Sequence, residues 1–175
     1  VARAAIAAGA TLVNDVWGLT ADPDIAGVVA DAGVPVVLMH NQDHTRYADV
    51  VTDVVRRLTE LRDGAIAAGI PQASIILDPG MGFGKTATQN LELLAHLDEL
   101  QVLGVPILIG MSRKSTIGKV LDLPPDDRVE GTAATVALSI AGGADIVRVH
   151  DVREMVRVSR MTDAVIRGWT PPPTE

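Results

Sequence analysis

The stretch Asp78–Thr86, DPGMGFGKT, combines a carboxylate, a lysine and a glycine-rich backbone. It ends in Gly-Lys-Thr, as a nucleotide-binding P-loop does. However, Pro79 stands where that motif has its first glycine, and proline has no backbone N–H to donate to a phosphate. The glycines follow the spacing G-x-G-x-G, which also fails the dinucleotide-binding pattern G-x-G-x-x-G. The stretch is therefore not a nucleotide-binding motif.

The same stretch suits a ligand that carries hydrogen-bond donors. An ionised carboxylate only accepts hydrogen bonds, so Asp78 fits two adjacent N–H groups, such as an aminopyrimidine edge. The turn at Pro79 and the flexible glycine backbone would let Phe83 lie over whatever the carboxylate holds. The alternative is that Asp78 caps the helix that follows.

Polar residues follow every predicted strand. The strands are predicted at Thr11–Asn14, Val34–Met39, Ser74–Leu77, Val105–Ile109 and Asp145–Val149. The polar residues at their ends are Asn14 and Asp15; His40, Asn41 and Gln42; Asp78; Ser112, Arg113 and Lys114; and Arg148, His150 and Asp151. A single polar residue could merely begin a loop. Their repetition predicts a polar pocket, because active sites of parallel α/β folds form at the carboxyl ends of the strands.

The elements that would position these groups alternate between strand and helix. The strands are nearly all apolar, as expected for strands covered on both faces. Helices are predicted at Val1–Ala8, at 22–33 with Asp22 as cap and Pro23 in the first turn, and at Asp49–Ala68, Asn90–Leu103, Glu130–Ala141 and Val152–Arg167. The alternation implies an α/β fold with a parallel sheet, either doubly wound or part of a (β/α)8 barrel. We predict one domain over residues 1–170 and a frayed proline-rich tail over 171–175.

Composition narrows the class of protein. The chain of 175 residues is 47% hydrophobic but only 2% aromatic, which predicts an aliphatic core. A net charge of −7 argues against nucleic acid as the main partner. Without cysteine there is no disulfide and no thiolate zinc site. The apolar runs are far shorter than the ~20 residues of a membrane span, so no membrane association is expected.

Five segments closely resemble the dihydropteroate synthase family in order and spacing. They are VNDVWGL (13–19), VVLMH (36–40), ILDPGMGFGKT (76–86), GMSRKSTIG (110–118) and RVHDV (148–152). The resemblance extends from residue 1 to about Ala164. The Asp-Pro-Gly and Asn-Asp elements also occur in related pterin-binding methyltransferases, whereas the last two segments are more specific to the synthases.

The resemblance implies a fold and an activity. The family is a (β/α)8 barrel, of which this chain would form about the last five β/α units. Its members join 6-hydroxymethyl-7,8-dihydropterin pyrophosphate to p-aminobenzoate and release pyrophosphate with the help of Mg²⁺. By the same resemblance, we expect a cytoplasmic enzyme that is a homodimer at full length.

The resemblance also implies roles in binding the pterin. Asn14 and Asp78 would hydrogen-bond the pyrimidine edge, and Lys114 would reach the O4/N5 side. Met39 would pack against the pterin, and Phe83 would pack near both substrates. Asp78 and Lys114 are the residues that we expect to matter most for catalysis.

Other matching positions would bind the remaining substrate groups. Arg148 and His150 would bind the pyrophosphate, and Ser115 would meet the p-aminobenzoate carboxylate. Ser112 and Ser115 could also serve as helix caps. Three further polar residues are better explained as supporting groups: Asp15, Arg113 and Asp151.

The chain also departs from the family pattern. A (β/α)8 barrel takes roughly 250 residues, so we expect this chain to be a C-terminal part that lacks the first strands and is inactive alone. The Mg²⁺ ligand would lie in the absent part, leaving no metal ligand here. Trp17 replaces the usual small residue, and Thr116 replaces the usual Phe. The alternatives are a related pterin-binding methyltransferase and a non-catalytic pterin-binding homologue.

Overall fold

The computed structural model describes residues 1–171, which form parallel strands covered by helices. The strands are β1 Val13–Asp15, β2 Val36–Met39, β3 Ile75–Asp78, β4 Leu108–Ile109 and β5 Ile146–Val147. β1, β2 and β3 pair in that order, β4 pairs with β5, and a parallel bridge from Leu77 to Ile107 connects the two groups. The predicted α/β class and parallel pairing are confirmed. The predicted tail at 171–175 falls almost entirely on residues 172–175, which lie outside the described residues.

The helices follow the predicted alternation. They are α1 Ala2–Ala7, α2 Ile25–Ala32, α3 Val50–Ala67, α4 Ala87–Ala95, α5 Ser115–Leu121, α6 Val129–Ala141 and α7 Val152–Ile166. Two short 3₁₀ segments lie at Gln72–Ser74 and Leu97–Leu103. Asp49 caps the start of α3, because its side chain accepts a hydrogen bond from the Thr52 N–H at 2.8 Å.

One predicted helix is divided in the structure. The helix predicted at Asn90–Leu103 is two elements, because α4 begins after a Thr86–Gln89 capping box and stops at Ala95. In the 3₁₀ segment that follows, Leu97, Leu100 and Leu103 are all buried, and their three-residue spacing fits a 3₁₀ helix.

The predicted caps of α2 and α5 are wrong. Asp22 does not cap α2; Asp24 precedes that helix, and the Asp22 carboxylate accepts the Asp24 N–H instead. Neither Ser112 nor Ser115 caps α5, since Lys114 is the residue before it and no side chain among the described residues caps its start. Polar residues therefore mark these turns correctly, but the competing local hydrogen bonds decide where each helix begins.

The sheet has two faces with different surroundings. Successive side chains of a strand point to opposite faces. Val36, Leu38 and Leu77 lie on the face covered by helices and belong to the main aliphatic core, together with Val54 and Leu58 of α3. This face holds most of the packing energy of the fold.

The opposite face of the sheet, the inner face, carries three of the predicted site residues. Asn14, Val37 and Ile76 lie on it at one register level, and Met39 and Asp78 lie at the next level. Val37 and Met39 are buried yet take no part in the helix-covered core. The fold thus directs Asn14, Met39 and Asp78 to a common surface.

The same alternation continues through the second pair of strands. Leu108 pairs with Ile146, and Ile109 pairs with Val147, which packs in a separate small core with α6 and α7. One residue beyond each strand, Gly110 and Arg148 are therefore on the inner face. The backbone ladder still holds there, because the Arg148 N–H donates to the Ile109 carbonyl at 2.9 Å.

Candidate functional site

Asp78 is a buried carboxylate at the carboxyl end of β3. Its side chain is 8% exposed and accepts a hydrogen bond from the Gly80 N–H at 2.7 Å. Burial raises the pKa of Asp78, while the positive charges of Lys114, Lys85 and Arg148 oppose that rise. The alternative in which Asp78 caps the next helix is wrong, because Thr86 caps α4.

Lys114 places an ammonium beside this carboxylate. Its Nζ donates to the Met81 carbonyl and lies 4.9 Å from the centroid of the Phe83 ring, which is cation–π geometry. Burial lowers the pKa of Lys114, and the charge of Asp78 acts in the opposite direction. A Cβ added to Gly110 would lie 4.0 Å from Nζ, so the ammonium sits close above the inner face. Asp78, Phe83 and Lys114 therefore form one polar and aromatic cluster.

The glycine loop, residues 79–86, is shaped by backbone that only glycine tolerates. Gly80, Gly82 and Gly84 have φ angles of 67°, 79° and 56°. A Cβ on Gly80 would lie 1.9 Å from the His40 carbonyl oxygen, and one on Gly84 would lie 2.5 Å from the Gln42 carbonyl oxygen. The loop is therefore pressed against the segment that follows β2.

Replacing Gly80 by alanine should destabilise the protein by about 2–4 kcal/mol, because strain from the positive φ adds to the clash with His40. The matched control is Gly64→Ala in α3, where no atom lies within 4 Å of the added Cβ. That change should stabilise by about 0.5–1 kcal/mol. Urea unfolding of both variants measures the difference. Equal stability of Gly80→Ala and the unmodified protein would contradict the close approach of the two backbones.

Arg148 and His150 lie at the end of β5, on the same edge of the sheet as Asp78. The Ser112 hydroxyl oxygen accepts the His150 backbone N–H at 3.1 Å and lies 3.0 Å from His150 Nδ1. Because the oxygen already accepts from the backbone, its own hydrogen can go to Nδ1, which favours the tautomer with hydrogen on Nε2. Both side chains are exposed, and the planar guanidinium of Arg148 suits phosphate oxygens. This end of the site can hold an anion.

The residues expected to be supporting groups make structural contacts. Arg113 forms a two-pronged ion pair with Asp151, with distances of 2.9 Å from Nε and 2.5 Å from Nη2. The Arg113 hydrogen bond lowers the pKa of Asp151. Asp15 accepts the Leu19 N–H at 2.5 Å and so folds the loop after β1. The pair of Arg113 and Asp151 joins the segments after β4 and β5 at the edge on which the site lies.

Comparison with known proteins identifies the family. Residues 1–150 match the family described as "pterin binding enzyme". This chain belongs to the pterin-binding enzyme family. The dihydropteroate synthase of Bacillus subtilis is 48% identical to it over 166 residues, which cover 95% of this chain and 58% of the relative.

Solved structures of this family are similar to the whole described fold. The dihydropteroate synthase of Clostridium difficile, determined in the presence of pteroic acid, is 48% identical, with a TM-score of 0.93 over 95% of this chain and 64% of that one. The dihydropteroate synthase of Xanthomonas albilineans with 4-aminobenzoic acid is 46% identical, with a TM-score of 0.90 over 94% of this chain and 60% of that one. The chain therefore spans 58% to 64% of the lengths of these three proteins.

The structure of this pterin-binding family member brings most predicted site residues to one edge. Asp78, Lys114 and Phe83 are in one cluster, and Met39 is the register neighbour of Asp78. Asn14 is exposed on the same inner face, two strands from Asp78 and one level below it. Three further predicted residues are exposed at the same edge: Ser115, Arg148 and His150. Ser115 is the first residue of α5, directly after Lys114.

Sequence reasoning placed His40 among the polar residues at the strand ends, but it missed that His40 pairs with the buried Lys85. Lys85 Nζ lies 3.0 Å from His40 Nδ1, and it donates to the Gly80 and Phe83 carbonyls, both at 3.1 Å. The Gly-Lys-Thr ending points to Lys85 only as a phosphate ligand. A lysine within a tight glycine loop is nevertheless a usable signal, since its amine can bond the loop carbonyls.

Sequence reasoning also missed Asn90 as a residue that holds the glycine loop. Its Oδ1 accepts the Gly82 N–H at 2.7 Å, and its Nδ2 donates to Thr116 Oγ1 at 3.2 Å. Thr116, which departs from the family pattern, therefore bonds a residue that holds the glycine loop. No local pattern indicates this contact, because Asn90 and Thr116 are far apart in the chain.

Two further findings concern metals and membranes. Residues 1–171 contain no group of three or more His, Asp or Glu side chains that could hold a metal ion. The predicted Mg²⁺ requirement stays a prediction. In the same range, every helix is too short or too polar to cross a membrane.

Proposed function

We propose that this chain carries the substrate site of a dihydropteroate synthase. The reaction condenses 6-hydroxymethyl-7,8-dihydropterin pyrophosphate with p-aminobenzoate to give 7,8-dihydropteroate and pyrophosphate, in folate biosynthesis. The observation that carries the proposal is the cluster of Asp78, Lys114 and Phe83 at the strand ends. The 48% identity to the Bacillus subtilis synthase supports the same assignment.

The pterin is recognised by complementary hydrogen bonds. One Asp78 oxygen accepts the Gly80 N–H, and the carboxylate keeps further lone pairs for the adjacent N–H donors of the pyrimidine edge. Lys114 is an ammonium donor on the other side of the same cluster and fits the O4/N5 side of the ring. Met39 gives the pterin an apolar surface, and the Asn14 amide completes the edge contacts.

The chemical step needs positioned charge rather than a nucleophilic side chain. The amine nitrogen of p-aminobenzoate forms a bond to the pterin CH₂ carbon and loses a proton. The C–O bond to pyrophosphate breaks, and the electron pair leaves with the pyrophosphate. Arg148 and the Nε2–H of His150 stabilise the departing anion, which lowers the energy of a cation-like transition state.

The second substrate binds beside the cluster. Phe83 is 37% exposed, so its ring offers a surface on which the aromatic ring of p-aminobenzoate packs. Ser115 is exposed at the start of α5 and donates to the carboxylate of that substrate. Because Lys114 lies over Phe83, the two substrates meet next to the ammonium.

We further propose a barrel fold, a cellular location, an oligomeric state and a metal for the complete protein. The five parallel strands form part of a (β/α)8 barrel, as the last five of its eight units. The exposure of Asn14 and Ile146 on the inner face supports this arrangement, because a closed barrel would cover that face. The complete protein is a cytoplasmic homodimer that uses Mg²⁺.

The experiment is an assay of the complete gene product that carries this chain. With 6-hydroxymethyl-7,8-dihydropterin pyrophosphate, p-aminobenzoate and Mg²⁺, it should form dihydropteroate and pyrophosphate in equal amounts. Chromatography of the pterin products and a pyrophosphate assay measure both. Binding of 6-hydroxymethylpterin without turnover would indicate a non-catalytic homologue instead. Methyl transfer from a methylated folate, without pyrophosphate release, would indicate the related methyltransferases.

A further inference from the structure

Lys85 is a buried amine whose hydrogen-bond partners match its donors. An ammonium has three N–H donors and no acceptor. In this structure Nζ has three acceptors within 3.1 Å, namely the Gly80 carbonyl, the Phe83 carbonyl and His40 Nδ1. The two carbonyls belong to the glycine loop, one next to Asp78 in space and one on the residue whose ring faces Lys114.

The third acceptor, His40, connects the Lys85 amine to the sheet. The His40 N–H donates to the Asp78 carbonyl at 2.9 Å, which extends the ladder between β2 and β3 by one residue. Burial and the nearby Lys85 charge lower the pKa of His40 to about 3, so the imidazole is neutral and Nδ1 can accept. Tyr47 holds the far end of the loop, because its hydroxyl donates to the Gly84 carbonyl at 2.9 Å.

We propose that Lys85 is a positioning residue for pterin binding: its ammonium bonds the Gly80 and Phe83 carbonyls and thereby fixes the Asp78 carboxylate and the Phe83 ring. This inference rests on the proposed pterin site. Burial of the loop alone does not explain a lysine, since desolvating an ammonium is unfavourable and a methionine would fill similar space without that penalty. The amine is retained where its hydrogen bonds define the shape of the loop.

Charge adds a second contribution. Asp78 must be ionised to accept from the pterin, yet burial raises its pKa, and the Lys85 charge opposes that rise. Burial also lowers the pKa of Lys85 itself to about 7, with Asp78 acting against this shift and Lys114 adding to it. Pterin affinity should therefore fall as pH rises through about 7, because Lys85 loses its proton.

The other groups that face Lys85 do not produce this change. His40 is neutral throughout this range. The Tyr47 ring lies 6.0 Å from Nζ, and burial raises the pKa of its hydroxyl to about 12. Asp78 and Lys114 also act on Lys85, and both are present in every variant used below, so the comparison changes Lys85 alone.

The experiment compares Lys85→Met with Lys119→Met in the complete gene product. Lys119 is an exposed lysine of α5 and serves as the matched control. Isothermal titration with 6-hydroxymethylpterin from pH 6 to 8.5 should show about tenfold weaker binding for Lys85→Met, about 1.4 kcal/mol. The unmodified protein and Lys119→Met should lose affinity above pH 7, whereas Lys85→Met should show a smaller loss.

A second variant separates positioning from folding. Lys85→Gln keeps N–H donors without the charge, so it should bind more tightly than Lys85→Met and share its reduced pH dependence. Unchanged affinity in Lys85→Met, or an unchanged pH profile in both variants, would overturn the proposal. Failure of both variants to fold, seen by circular dichroism, would assign Lys85 to stability and also overturn it. If the unmodified protein binds no pterin, the proposed function itself fails.

Discussion

Replacing Asp78 by asparagine should weaken binding of 6-hydroxymethylpterin by at least about a hundredfold. The reason is a mismatch of hydrogen bonds: the amide NH₂ would face the N–H donors of the pyrimidine edge. A site built for a polar group discriminates by factors of roughly 10²–10⁵, because buried donors are left without partners. Isothermal titration of the complete gene product measures the loss.

The same substitution should make the protein more stable. Burial raises the pKa of Asp78 above its value of 3.8 in the unfolded chain, so ionising this group in the folded protein is unfavourable. The stabilising contribution of the protonated form is complete below pH 3.8 and is lost as pH rises through the higher folded pKa. An asparagine side chain does not ionise, so its contribution to the unfolding free energy is not lost as pH rises. The gain in unfolding free energy of Asp78→Asn should therefore grow with pH and then become constant.

Asp31→Asn is the matched control for both measurements. Asp31 is exposed on α2, away from the inner face, so its substitution should leave pterin affinity unchanged. Asp78→Asn with near-normal pterin affinity would show that the carboxylate does not meet the heterocycle. If Asp78→Asn were less stable than the unmodified protein at neutral pH, the buried Asp78 charge would not destabilise the fold.

Replacing Lys114 by methionine should lower kcat for dihydropteroate formation by roughly 10²–10³, the usual effect of removing one donor aimed at developing charge. Methionine keeps an apolar stem beside Phe83 but removes the ammonium that bonds the Met81 carbonyl and faces Asp78. A discontinuous assay of pteroate measures kcat and KM for each substrate. We expect the loss in kcat to exceed the rise in either KM.

Lys119→Met, in the helix that directly follows Lys114, is the control for Lys114. Its side chain is exposed, and the substitution should change neither kcat nor KM. If Lys114→Met retained full kcat, the ammonium would have no part in the chemical step. A loss confined to the KM of p-aminobenzoate would place Lys114 in binding of the second substrate only.

Much of the site could be predicted from short segments of sequence. Asp78, Lys114 and Arg148 each lie at or after the carboxyl end of a strand, and parallel strands bring such residues to one edge regardless of their separation in the chain. The resemblance to the synthase family also implies a role for each residue, and these roles stay predictions. The helix predicted at Asp49–Ala68 closely matches α3 for a similar reason, since its apolar stripe is a local pattern.

The parts that could not be predicted depend on contacts between distant residues. His40 accepts a hydrogen bond from Lys85, and Asn90 forms hydrogen bonds with both Gly82 and Thr116. No local sequence pattern indicates these contacts. The break between α4 and the 3₁₀ segment was missed because leucines spaced by three residues suit both kinds of helix. In each case tertiary packing chose between local structures of similar energy.

A crystal structure of the complete gene product with bound 6-hydroxymethylpterin would show whether Asp78, Asn14 and Lys114 hold the pterin. We predict that the pyrimidine edge lies within hydrogen-bonding distance of the Asp78 carboxylate and the Asn14 amide. Lys114 Nζ should contact the O4/N5 side of the same ring. A pterin bound elsewhere on the protein, or bound with Asp78 and Lys114 facing away from it, would contradict the account.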